Sequence, residues 1–222
     1  FLFLYVPLKW CCLVKGDNIL REPILNAMTV DVEDFFHVSA FESVIDPSQW
    51  QEYQPRVDAN TRKLLDLFAK HNVKSTFFVL GWVAERYPEL ISEIHYQGHE
   101  IASDGYDHRR ATEQSRDEFF NDVKRSKDHL ENLVGERITG YRAPSFSIGY
   151  DNEWVFEVLA ELDFGYSSST YPVKHDLYGT PDWPRFAYKR KEGIIEIPIP
   201  TLKLLGKQTP IGGGGYFRLY PY

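Results

Sequence analysis

Cysteine is almost missing from this 222-residue chain, occurring only as the adjacent pair Cys11 and Cys12. Two neighbouring thiols form neither the disulfide framework of a small secreted fold nor a spaced zinc motif, so they leave the redox compartment unread. An excess of basic charge is missing too: 25 Lys and Arg face 32 Asp and Glu, a net −7. Nucleic acid, which is held by clustered cations, is therefore not the expected partner, and an uncharged or cationic substrate fits better. Long apolar runs are absent as well. Residues 1–14 are apolar but broken by Pro7 and Lys9, and are too short to span a bilayer. They also lack the basic start and small-residue cleavage site of a signal peptide. With no methionine before Met28, residues 1–22 are expected to be a leader remnant or a non-native extension, and residues 23–222 a single domain.

What is present is apolar and aromatic substance, 43% and 15% of the chain, enough for one large core. The chain is organised around residues 24–36, where Ile24, Leu25, Ala27, Met28 and Val30 lead into Asp31, Glu33 and Asp34. Buried strands of parallel α/β folds read as near-continuous apolar runs, and chemistry gathers at their C-terminal ends. At a period of two, Asp31 and Glu33 point to one side and Asp34 to the other, unless the strand has already ended and all three converge. Like charges this close are relieved by a cation or by shifted pKa values; the plainer alternative is a set of solvated loop acids.

Periodicity then alternates. Helices are expected over residues 60–71, with Asn60 or Thr61 as cap, and over 88–96, 115–134 and 152–162. Strands are expected over 74–80, closed by Gly81, and over 99–103, 138–142, 164–168 and 194–199. This order predicts parallel pairing with right-handed crossovers. Residues 35–50 read as an aromatic loop with a short helix above the strand ends, and the four glycines of 212–215 as a flexible loop.

Two later strands also end in chemistry. After residues 99–103 come Asp104 and His108, four apart, so a helical turn would set them on one face where they share a metal with an acid of the first strand. A carboxylate and imidazole set suits zinc or another divalent first-row ion. Taken alone, His108 reads as a solvated loop histidine. After residues 138–142, Arg142 precedes Ala143 and Pro144 and is placed to orient a catalytic acid, against the plain alternative of a surface ion pair.

TVDVEDFF (29–36), GHEIASDGYDH (98–108) and GYRAPSF (140–146) resemble, in order and spacing, the first three motifs of the polysaccharide deacetylases of carbohydrate esterase family 4, the NodB-homology proteins. NAMTVDVEDFFHVSAFE, GYRAPSFSI and PIGGGGYFRLYPY are similar to the subgroup associated with exosortase-type exopolysaccharide loci. The resemblance covers about residues 24–222. It implies an α/β fold, a distorted (β/α) barrel of the NodB-homology type that is incomplete at its C-terminus. The implied activity is removal of N-acetyl groups from an N-acetylated polysaccharide with a divalent metal, usually zinc. Asp31 then takes the place of the catalytic base and Arg142 that of the arginine supporting it. The metal-binding acid falls on Glu33 or Asp34, with Glu33 favoured by the D-x-D spacing of one branch, and His108 matches the second histidine of H-x-x-x-H. Tyr106 and Pro144, within the same motifs, are the expected substrate contacts. There are three departures: Asp104 stands where the family has the first histidine, Ser167 stands where the subgroup has aspartate, and the chain reaches Tyr222 before the late leucine-histidine motif that supplies the general acid. His175, in unrelated surroundings, is a poor substitute. A non-catalytic carbohydrate-binding protein on the same scaffold, or a hydrolase of small amides such as ureides, are the rival readings.

Overall fold

Alternation along strand β2 (Ala27–Val32) decides which face of the sheet is packed and which is reserved. Val30 and Val32 enter the main core with Phe77, Val79 and Ile101 of the next two strands. Asp31 points the other way, in register with Phe78 and, one strand further, Ala102. The computed structural model describes residues 2–5, 27–175, 178–204 and 206–213.

Parallel pairing runs from β2 through β3 (Thr76–Val79), β4 (Glu100–Ser103) and β5 (Gly140–Tyr141) to β6 (Tyr166–Ser167). Next, β7 (Tyr188–Lys189) and β8 (Ile195–Glu196) pair antiparallel, and β8 lies parallel to β6. At the other edge, β1 (Leu2–Tyr5) pairs antiparallel with β2. This eight-stranded sheet is mostly parallel, the α/β architecture that the alternation predicts, and among the described residues its edges are β1 and β7. A second hairpin, β9 (Thr201–Leu204) with β10 (Lys207–Pro210), stands apart. Within residues 1–22, the stretch expected to be a leader remnant or non-native extension, residues 2–5 form the sheet strand β1. The remainder of that stretch, Cys11 and Cys12 with it, lies outside the described residues, as do Gly214 and Gly215.

Among the described residues, five α-helices cover the packed face. In α1 (Val57–His71), Leu65 and Phe68 are buried, each contributing about 1.5–3 kcal/mol by leaving water. Two helices, α2 (Gly81–Arg86) and α3 (Pro88–Tyr96), replace the one expected between the second and third predicted strands. Gly81 opens a helix instead of only ending a strand, and a Cβ there would lie 2.3 Å from the Tyr106 ring. Ser115 and Glu118 form a capping box on α4 (Arg116–Val134), and Gly135, at φ 75°, closes it. The last helix is α5 (Trp154–Glu161). No described helix is long and apolar enough to cross a membrane.

The loop after β2 does more than the aromatic cover expected of residues 35–50. His37 is buried, with its ring centroid 4.5 Å from those of Phe36 and Trp50 and 4.9 Å from that of Trp82. Its Nδ1 accepts the Asp34 amide at 2.9 Å. Burial pushes its pKa down to about 3, so the folded protein holds a neutral imidazole that the unfolded chain protonates near 6.5. A depressed folded pKa gives stability that is complete above 6.5 and is lost as pH falls toward 3. Urea unfolding is expected to show stability falling below pH 6.5 with a histidine contribution of up to about 1.4 kcal/mol per pH unit. His37→Gln, which keeps an acceptor for the Asp34 amide, should remove that contribution; an unchanged acid slope would show that His37 is not the group responsible.

Candidate active site

β2 ends at Val32, so of the acids in residues 31–34 only Asp31 lies on the strand itself. Asp31 is buried on the reserved face of β2, and Glu33 follows on the same side with its side chain only 7% exposed. Asp34 turns away. Its Oδ1 accepts from the Phe35 amide, while Oδ2 accepts from the Arg56 and Val57 amides at the start of α1. The carboxylate is therefore the N-terminal cap of α1, where unpaired amides and the helix dipole favour negative charge. Asp34, expected as an alternative metal ligand to Glu33, thus stands outside the cluster described below, and the cap of α1 is neither of the expected Asn60 and Thr61.

Asp104 and His108 do come together, but not on a helical turn. The backbone is left-handed at Gly105 (φ 75°) and at His108 (φ 53°), which curls residues 104–108 back on themselves. The first amides of α2 pin this curl: Gly81 N donates to Gly105 O at 2.9 Å and Trp82 N to Tyr106 O at 3.0 Å. From α4, Asp122 Oδ2 accepts the Tyr106 amide at 2.9 Å.

The result is a cluster in which one ligand atom each from Glu33, Asp104 and His108 lies within 4.8 Å of the others. His108 Nε2 is 3.0 Å from Glu33 Oε2, yet the contact is not aligned as a hydrogen bond, and Glu33 Oε2 and Asp104 Oδ1 are both buried without a hydrogen-bond partner. Buried orphaned acceptors are rare. Two carboxylates and an imidazole with their donor atoms turned toward one another fit a divalent cation. Electrostatics agree. Burial, then the charges of Asp31 and Glu33, raise Asp104 well above the usual carboxylate range. Burial, the largest influence on Glu33, acts to raise it, but the interaction with His108 and smaller favourable contributions together outweigh it and leave Glu33 lowered.

Beside this cluster lies a buried ion pair, Arg142 Nη1 to Asp31 Oδ1 at 2.6 Å. Burial raises the Asp31 carboxyl, and the arginine opposes that rise. Arg142 directly follows β5, and its amide donates to Ser103 O at 2.9 Å. Its Nη1 also reaches Thr29 Oγ1 at 3.2 Å, its Nε and Nη2 reach Ser168 O and Oγ at 3.1 and 2.9 Å, and its guanidinium stacks 3.9 Å from the Phe78 centroid. Thr29, Phe78 and Ser168 were not anticipated. Thr29 was readable, two residues before Asp31 on the same strand face; Phe78 and Ser168 carry no local signal.

Two expected substrate contacts have other employment. Tyr106 is only 4% exposed; its ring lies against Gly81 and under Arg125, its hydroxyl is bonded to Glu85, and burial pushes its pKa up to about 12. Pro144 is buried at the start of the turn Pro144–Phe146.

The polysaccharide deacetylase profile matches residues 50–166, more than half of the chain, and a domain of unknown function, DUF3473, matches residues 168–222. The chain belongs to the polysaccharide deacetylase family, hydrolases of carbon–nitrogen bonds other than peptide bonds. It is 37% identical over 75 residues to a peptidoglycan-N-acetylglucosamine deacetylase of Bacillus cereus, spanning 34% of this chain and 27% of that one. It is 30% identical over 127 residues to a chitin deacetylase of Arthroderma benhamiae, covering 55% of this chain and 33% of that one. Among solved structures, a protein assigned to the polysaccharide deacetylases from Mycobacterium smegmatis superposes with a TM-score of 0.62 at 27% identity, over 78% of this chain and 57% of that one. The chain thus spans about half or less of the length of the first relatives it matches.

The division of labour between neighbouring acids is testable. Asp34→Ala is expected to cost about 1–2 kcal/mol in urea unfolding through loss of the α1 cap, with zinc affinity by calorimetry unchanged. Glu33→Ala should do the reverse. Weakened zinc binding in Asp34→Ala alone would return Asp34 to the ligand set.

Proposed function

We propose that this chain is a metal-dependent N-deacetylase of an N-acetylated polysaccharide, with Asp31 as base, Arg142 as its support, and Glu33, Asp104 and His108 as metal ligands. One observation carries the reading: the buried Asp31–Arg142 pair and the Glu33, Asp104 and His108 cluster meet where β2, β4 and β5, parallel members of one sheet, end. The peptidoglycan and chitin deacetylases among the relatives support the substrate class. An exopolysaccharide of the kind made by exosortase-type loci is the finer reading, supported by the motif similarity at residues 26–42 and 210–222.

Bound by the three ligands, a divalent ion, zinc by our reading, supplies Lewis acidity toward an amide carbonyl and lowers the pKa of water. The chain's own groups do the rest. Arg142 holds Asp31 by Oδ1, fixing the carboxylate's direction and favouring its ionised form, and Asp31 takes the proton of the attacking water. Burial of both groups keeps bulk water from screening the pair. Thr29, Phe78 and Ser168 hold the guanidinium so that it does not follow the proton.

Asp104 makes this site more acidic than the histidine of the family motif would. Burial and the charges of Asp31 and Glu33 raise the Asp104 carboxyl well above its usual range, so a cation bound there, which favours the carboxylate, would release a proton to solvent. Calorimetry in buffers of different ionisation enthalpy is expected to show proton release on zinc binding and affinity that rises with pH. Asp104→His should increase zinc affinity and reduce that release. Asp31→Asn should lower deacetylation of an N-acetylglucosamine oligomer by about 10²–10⁴-fold while zinc stays bound. If Asp104→His alters neither zinc affinity nor proton release, position 104 is not a ligand; full turnover by Asp31→Asn would remove Asp31 as the base.

A further inference from the structure

The boundary between the two matched families, at residues 166 and 168, cuts through the candidate site. It falls within or beside β6, and the next residue, Ser168, receives both Nε and Nη2 of Arg142. Ser169 Oγ then accepts the Ala143 amide at 2.9 Å and meets Ser167 Oγ at 2.7 Å. The segment of unknown function therefore grips both Arg142 and the residue after it.

That grip has its own anchor. Glu196, on β8, is fully buried and in register with Ser167. Its Oε1 accepts three hydrogen bonds from the turn that follows β6: Ser169 N at 3.0 Å, Thr170 N at 2.8 Å and Thr170 Oγ1 at 2.8 Å. No cation takes part in those three bonds. A buried carboxyl costs free energy unless its donors are well placed, so a site that keeps one here uses it to fix backbone. What it fixes is the run 168–170, whose first residue carries two of the bonds to Arg142.

We infer that Glu196 is a positioning residue for the Arg142–Asp31 pair, and that the domain of unknown function serves the family reaction by supplying this brace. The inference rests on the reading of Asp31 as base. The connection is short: Glu196 holds residues 169 and 170, Ser168 holds Arg142, and Arg142 holds Asp31. It also gives β8 a function beyond extending the sheet, since its two-residue pairing with β6 sets the depth at which Glu196 meets the turn.

Three forms of the protein separate a brace from a merely structural glutamate. Glu196→Ala is expected to lower kcat on an N-acetylglucosamine oligomer by about 10- to 100-fold, with KM little changed, because the base is misdirected while the substrate surface is intact. Glu196→Gln, which keeps an acceptor oxygen for the three donors, should recover most of that loss. In an Arg142→Lys background Glu196→Ala should cost no further kcat, since the group it positions is gone. Heteronuclear NMR gives a readout independent of activity: the Arg142 Nε–H signal should be protected from exchange in the native protein and in Glu196→Gln, and lose that protection in Glu196→Ala. The Arg62 Nε–H, bonded to Asp58, serves as control. An Arg142 signal that stays protected in Glu196→Ala, or a kcat loss that persists undiminished without Arg142, overturns the inference. Absence of deacetylation in every form, with the NMR pattern as expected, would sink the deacetylase reading and leave the brace standing.

Discussion

The structure depends most on the ion pair between Asp31 and Arg142, 2.6 Å apart with both side chains almost wholly buried. Two charges removed from water recover the desolvation cost only when geometry is good and every remaining donor is satisfied. Here the guanidinium is satisfied on all sides described, by Thr29, Asp31 and the two oxygens of Ser168, with Phe78 beneath it. Breaking such a pair typically costs about 3–5 kcal/mol, because one charge is left alone in the interior. The pair also ties together β2, β5 and the end of β6, strands far apart in sequence. The reserved face of the sheet is thus held open for chemistry by the same bond that stabilises it.

The acids beside the pair obey a different economy. Asp31 has a dedicated cation, Asp34 has the amides of a helix start, and Glu33 has His108. Asp104 has none of these, and burial, with the charges of Asp31 and Glu33, raises its carboxyl well above the usual range. In the proposed site this deficit falls on the residue that replaces the family's histidine, which makes the expected affinity for a cation dependent on a proton. This is a retuning, since carboxylate oxygen is an ordinary ligand for zinc and a better one for harder ions.

The neighbouring segment of unknown function is not an appendage. Its strand β8 extends the same sheet, its Ser168 is hydrogen-bonded to the arginine, and its Ser169 to the residue after it. A family boundary drawn along the chain does not separate what the sheet joins, because parallel strands bring the C-terminal ends of successive elements to one edge.

The sequence by itself determined the alternation of strands and helices, the bounds of α3, and the capping box and glycine stop of α4, since each rests on local period or local hydrogen bonding. It left open whether Asp34 joins Asp31 and Glu33 on one side, because alternation holds only within a strand and β2 ends at Val32. The three motifs named Asp104, His108 and Arg142. Only the tertiary structure decided that Asp34 caps a helix starting 23 residues later, that left-handed backbone at Gly105 and His108 replaces a helical turn, and that Tyr106 belongs to the packing under Gly81. Only it brought Ser168 to Arg142 and Glu196 to Ser169 and Thr170. These are contacts between segments with no shared period, fixed by which strand lies beside which, and nothing in the local order of residues encodes that.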